Sequence, residues 1–173
     1  MAVYELLPST HPSLSVPLTE VTDDQEGREQ IQQDLVDTMR AKNGIGLSAN
    51  QIGIGACVFA MYADVKEKDI LVCFNPKILN QSEEEILMDE GCLSYPGLWL
   101  KVRRPEGIEV TYEDVKGELQ EKAMFGLEAR IFQHEYDHMD GLNFTDRVSK
   151  LKMDRAKKRL KKVQKKLDKP VLP

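Results

Sequence analysis

The stretch QHEYDHMDG, Gln133 to Gly141, decides the reading of this chain. It holds the pattern H-E-x-x-H as His134, Glu135, Tyr136, Asp137 and His138. On a helix, residues four apart share a face, so the two imidazoles can grip one metal ion with the glutamate beside them as a base. The helix is expected to begin near Leu127. Leu127 and Ile131 form its apolar stripe, and His134 and His138 are the next positions on that face, so the histidines point inward. A lone inward histidine is most often a hydrogen-bonded core residue. Two at this spacing with a glutamate between them favour a metal site.

A catalytic metal takes three protein ligands and leaves a position open for water. Downstream the third is missing. No glutamate follows Glu135, and the extended pattern H-E-x-x-H-x-x-G-x-x-H places Phe144 at its last ligand position. The remaining ligand is therefore expected upstream, and Cys92 is the best candidate. Cys57 and Cys73 lie inside apolar, strand-like runs, where a small buried thiol is the plainer explanation. Cys92 lies in EGCLSYPG, at a strand end beside Gly91, where backbone can come close to a bound atom, and a thiolate suits a divalent transition metal. His11, before Pro12 in a loop, is given no role.

With 173 residues, 41% apolar and 31% charged, the chain has the size and composition of one ordinary globular domain. Its N-terminus lacks the basic-then-apolar order of a secretory signal, and no apolar run is long enough to span a membrane. Three cysteines, an odd count, point to free thiols in a reducing compartment, and the expected location is cytoplasmic.

Residues 1–22 read as an extended lead-in. Asp23 or Asp24 is expected to cap a helix with the stripe Ile31, Leu35, Met39, stopped by Asn43-Gly44. GIGLSANQIG reads as a glycine-rich loop. ACVFAM, ILVCFNP and EEILMD read as strands, and Ile108–Tyr112 with ELQEKAM as a hairpin turning at DVKG.

Three segments together resemble the peptide deformylase family: Gly44-Ile-Gly-Leu-Ser-Ala-Asn-Gln51, Glu90-Gly-Cys-Leu-Ser94 and Gln133-His-Glu-Tyr-Asp-His138. The resemblance implies an α+β fold, with mixed or antiparallel sheets packed around a central metal-binding helix. It implies an enzyme that removes the formyl group from the N-terminal formylmethionine of nascent peptides. Cys92, His134 and His138 would hold one divalent ion, usually Fe2+ in this family, with Zn2+ or Ni2+ able to replace it. Glu135 would move the proton, and Gln51 and the Leu93 backbone N–H would stabilise the oxyanion. Ile45, Gly46 and Gly91 would pair with the substrate backbone. Met88, Glu90, Leu127 and Ile131 would form or border the methionine pocket, with Arg104 pairing to Glu90 and Asp137 supporting the site. The expected state is a monomer.

Trp99 stands where many relatives carry arginine, so an apolar wall is expected in place of an ionic contact, and Ser48 replaces a common alanine. Two rival readings exist, an H-E-x-x-H peptidase and an inactive formyl-peptide-binding relative. The missing downstream ligand and the cysteine segment oppose the first, and the intact ligand set with Glu135 opposes the second.

The chain divides by charge. From Arg147 to Lys169 twelve Lys and Arg face two acids, a net of +10, whereas the rest carries twelve bases and 27 acids, a net of −15. Residues 1–146 are read as the catalytic domain and 147–173 as a basic amphipathic helix and tail. Met153, Ala156, Leu160, Val163 and Leu167 form its apolar face. By the resemblance, the basic face is expected to dock on ribosomal RNA.

Overall fold

The computed structural model of the chain describes residues 2–22 and 25–167, with side chains to Gln164. The expected cap at Asp23 or Asp24 and the side chain of Leu167 lie outside these. The fold is α+β. The elements are α1 (Gln25–Ala41), β1 (Gly46–Ser48), β2 (Val58–Asp64), β3 (Asp69–Gln81), β4 (Glu85–Glu90), β5 (Leu100–Pro105), β6 (Gly107–Glu113), β7 (Leu119–Phe125), α2 (Gly126–Met139) and α3 (Lys150–Leu167). Short 3-10 turns occupy Pro12–Ser15, Ala49–Ile52 and Phe144–Arg147.

Five strands form one sheet in the order β1-β2-β3-β6-β7, and β4 pairs with β5 in a second sheet. Each of these strand pairings is antiparallel, and a parallel bridge joins Thr19 to Ala56. The run Val58-Phe-Ala-Met61 explains the large sheet. Successive side chains alternate between faces, yet all four are buried, so both faces must be covered. Phe59 and Met61 meet Ile131 and Phe132 of α2, while Val58 and Ala60 meet Leu35 and Met39 of α1. Phe59 and Phe132 pack edge to face at 5.1 Å. The sheet thus lies between α1 and the helix that carries the H-E-x-x-H pattern.

Local signals end the elements where expected. Asn43 takes a left-handed φ of 55° after α1, and the Gly44 N–H returns to the Met39 carbonyl at 2.9 Å. In β3 the proline at 76 is accommodated by an irregular register between Phe74 and Lys77. There Asn75, at φ 48°, exchanges side-chain hydrogen bonds with both backbone groups of Val21. That pins the lead-in to the sheet. His11 caps the first 3-10 turn, its Nδ1 accepting from the Ser13 N–H at 3.3 Å.

Two strands differ from the sequence reading. GIGLSANQIG is not wholly loop, because Gly46–Ser48 pairs with β2 as one of the sheet's two edge strands. LKVRRP forms β5, whose side chains alternate buried and exposed through Arg104, itself buried. An arginine facing inward hides the period-two pattern by which a strand is recognised.

The helix α3 begins as part of the fold. Met153, Ala156 and Leu160 pack on a cluster formed by Leu98, Leu100, Val102 and Phe144, with Cys92 and Tyr95 in the same cluster. Val163, the next position on that face, is exposed.

Candidate metal centre and catalytic cleft

Three elements bring the candidate residues together. β4 ends at Glu90 and delivers Gly91, Cys92 and Leu93 into a turn. The helix α2 supplies His134, Glu135 and His138, all buried. The turn Ala49–Ile52, after edge strand β1, supplies Gln51. Around them lies a cleft of about 360 Å³, lined among others by Ile45, Gly46, Gln51, Gly91, Leu93, Trp99, Leu127, Ile131, His134 and Glu135.

The donor atoms of Cys92, His134 and His138 lie within 4.8 Å of one another. Cys92 Sγ and His138 Nε2 are 3.7 Å apart. A tetrahedral ion with bonds of about 2.0–2.3 Å needs donors roughly 3.3–3.8 Å apart, a spacing that the Cys92–His138 pair already has. One sulfur and two imidazoles also form a donor set suited to such an ion.

The electrostatics agree. Burial opposes a charge on His134, but hydrogen bonds with Cys92 and Glu90 and the neighbouring charges outweigh it, raising its pKa to about 10. Burial, reinforced by the charge of His134, pushes His138 down to about 3.

Glu135 is placed for proton transfer. Burial pushes its pKa up to about 7, the range a general base needs. Its Oε2 is buried and has no hydrogen-bond partner among the described residues. The close approach of β1 requires a glycine here: a Cβ on Gly46 would collide with the Glu135 carboxylate.

The orientation of Gln51 is set by its own turn. The Ser48 N–H donates to Gln51 Oε1 at 2.9 Å, which turns the amide nitrogen toward the metal ligands. Nε2 donates to Cys92 Sγ at 3.2 Å and to Ser94 Oγ at 3.1 Å. The lead-in braces the same turn, the Leu7 N–H donating to the Gln51 carbonyl at 2.8 Å. The S-x-x-Q spacing from Ser48 to Gln51 is a capping signal that marks this turn in the sequence.

Glu90 lines the cleft, and each of its oxygens has two donors. Oε1 accepts from Arg104 Nε and Arg130 Nη1, both at 2.7 Å. Oε2 accepts from Arg104 Nη2 and pairs with His134 Nδ1, both at 3.0 Å. Burial favours its neutral form, but the hydrogen bonds from His134 and Arg104 and their charges hold it well below the usual carboxylate range. With Nδ1 committed to Glu90, His134 turns Nε2 to the ligand cluster. Asp137 binds Arg104 Nη1 at 2.8 Å and Arg147 Nε at 3.1 Å. The Arg104 pairing and the supporting position of Asp137 thus have direct counterparts in the geometry.

The cleft walls are less uniform. Ile131 is buried, whereas Ile45 and Leu127 are each 45% exposed at the mouth. Met88 is half-buried on β4 and does not line the cleft. Trp99 is 65% exposed, and its ring covers Gly91 closely enough that a Cβ there would meet it at 3.2 Å. It forms an apolar rim where an arginine would have placed a charge. Leu93 packs its side chain against Gly44. The sequence assigns no site role to Arg130, Ser94 or Arg147. Arg130 had a signal, being one turn before His134 on the inward face of α2.

Comparisons with known proteins follow the same lines. The model of the family described as polypeptide deformylase matches residues 3–154. A peptide deformylase from Phenylobacterium zucineum is 38% identical over 94% of this chain and 97% of its own length. Peptide deformylase 1B, chloroplastic/mitochondrial, of Arabidopsis thaliana is 38% identical over 78% of this chain, and the match spans 50% of that protein. The crystal structure of peptide deformylase from Thermotoga maritima superposes with a TM-score of 0.80 at 33% identity, covering 86% of this chain and 99% of that one. The cysteine turn, the histidine helix and the glutamine turn converge within a fold shared with these proteins, and the chain belongs to the polypeptide deformylase family.

Proposed function

We propose that this chain hydrolyses the formamide of N-formylmethionyl peptides, releasing formate and a free methionine amine. The reading rests above all on the convergence of Cys92, His134 and His138 beside Glu135 and Gln51. The three ligands would hold one divalent ion, Fe2+ by family resemblance, with Zn2+ or Ni2+ as replacements. When bound, the ion supplies Lewis acidity, which lowers the pKa of water and polarises the formyl carbonyl. Glu135 accepts the proton of the attacking water and returns it to the leaving amine. Gln51 Nε2 and the Leu93 N–H donate to the developing oxyanion. β1 is an edge strand, so Ile45 and Gly46 on one side and Gly91 on the other receive the peptide backbone as an added strand. Leu127 and Ile131 flank the methionine side chain, and Trp99 covers the rim. We infer a monomer, and the free thiols of Cys57, Cys73 and Cys92 favour a reducing compartment such as the cytoplasm. No described helix is long and apolar enough to cross a membrane.

A pair of peptides tests the reaction class. A formyl-Met peptide should yield formate and the intact unformylated peptide, and the unformylated control should be unchanged. Cleavage of internal peptide bonds in either would favour a peptidase. Gln51→Ala should lower turnover by about 10²–10³-fold, the usual cost of an oxyanion donor. Turnover within a few-fold of the parent would remove Gln51 from that role.

Ribosomal RNA is the docking partner we infer for α3. The exposed positions of α3 include Arg155, Lys157, Lys158, Arg159, Lys161 and Lys162, while Met153, Ala156 and Leu160 face the protein. Lys157 with Lys161 and Lys158 with Lys162 are like charges one turn apart, which destabilise an isolated helix and are relieved by a polyanion. Truncating the helix would expose the cluster that contains Cys92, so charge reversal is the cleaner probe. Changing these four lysines to glutamate should abolish co-sedimentation with ribosomes and leave formate release from a short peptide unchanged. Binding by the parent should fall with salt at a log–log slope of roughly 0.7–0.9 per phosphate neutralised. Equal binding by the variant would make α3 a structural helix alone.

A further inference from the structure

Arg130 is buried, lines the cleft and lies one turn before His134 on α2, and its guanidinium hydrogen-bonds to Glu90 and to two backbone carbonyls rather than to a candidate ligand atom. Its guanidinium is held in place by the second sheet. Nη2 donates to the Ile86 carbonyl of β4 at 2.7 Å, and Nη1 donates to the Val102 carbonyl of β5 at 3.0 Å. Nη1 also donates to Glu90 Oε1. Arginine suits this post because its planar fork serves several acceptors from one fixed position.

Glu90 links Arg130 to a metal ligand, through its Oε2 and His134 Nδ1. Arg104 also holds Glu90, but it is divided among Glu90, Asp137 and the Gln133 carbonyl. Arg130 reaches the same carboxylate from the helix that carries His134, and is itself fixed to β4 and β5. It therefore sets where the Glu90 carboxylate stands relative to the imidazole it orients. Resting on the ligand assignment above, we propose that Arg130 is a positioning residue for the metal centre, acting on His134 through Glu90.

Groups that orient a metal-bound histidine commonly contribute 10–100-fold in metal affinity. The test titrates Co2+ into the metal-free protein and its variants, following the thiolate-to-cobalt absorption band, with thermal melts to establish folding. Arg130→Met should weaken Co2+ binding by about 10–100-fold. Arg130→Lys keeps the charge without the fork and should fall between parent and Met variant, which carries the test if Arg130→Met does not fold. In a Glu90→Gln background, the Arg130 substitution that folds should cost no more than about twofold further, since its route is already broken. Unchanged Co2+ affinity in the folded Arg130 variants would overturn the proposal. So would a full second loss in the Glu90→Gln background, which would assign Arg130 a direct or purely architectural effect. Absence of the thiolate band in the parent protein would instead overturn the ligand assignment, and this proposal with it.

Discussion

Glu135→Gln should keep its metal and lose about 10²–10⁴-fold in turnover. The substitution conserves shape in a place where shape matters, because the Gly46 backbone lies directly against this carboxylate. It leaves Cys92, His134 and His138 untouched. What it removes is a group that can take a proton. Burial brings the pKa of Glu135 to about 7, so the carboxyl can accept and release a proton near neutral pH, whereas an amide can do neither. The loss should fall on kcat with KM little changed, since Gln still fills the wall of the cleft. Metal analysis beside steady-state kinetics checks both halves. Near-normal turnover would place the proton transfer elsewhere.

Cys92→Ala should lose the metal, and with it all measurable turnover. The three donors converge from two elements, and Cys92 is the one carried by the strand turn rather than the helix. Removing it leaves two imidazoles on one helix, short of the three protein ligands that a catalytic site uses. The other cysteines provide internal controls. Cys73 is buried in the core beside Phe59 and Val110, and Cys57 packs at the edge of the same cluster. Cys73→Ala deletes a small buried group and should cost some stability, yet metal content should remain near one ion per chain. Elemental analysis of the purified variants separates these outcomes. Full occupancy in Cys92→Ala would exclude it as a ligand.

The site was legible where spacing alone implies a shared face. The stripe through Leu127, Ile131, His134 and His138 requires only the helical repeat, and Phe144 at the downstream position sends the search upstream. The resemblance of three short segments then named Gln51, Leu93 and Glu90. The strand in Val58–Met61 was legible because it is a continuous apolar run. Other features depend on contacts that a linear pattern does not carry. β1 is three residues long beside glycines, and its identity comes from pairing with β2. β5 faces Arg104 inward because Glu90 and Asp137 receive it there, a fact belonging to three separate segments. Arg130 sits on the inward stripe, but a charge on that stripe becomes intelligible only once β4 and β5 supply its acceptors. The docking of α3 on the Cys92 cluster is likewise tertiary. Its apolar repeat predicts an amphipathic helix without saying what covers the face, and the contact ends before Val163.

Removal of the formyl group should require one metal ion on Cys92, His134 and His138. The most direct measurement strips the protein with a chelator and restores metal in known equivalents, following formate release from a formyl-Met peptide. Formate production should be absent from the stripped protein, rise linearly with added ion and level off at one equivalent per chain. Formate release by the metal-free protein, or full metal loading that releases none, would contradict it.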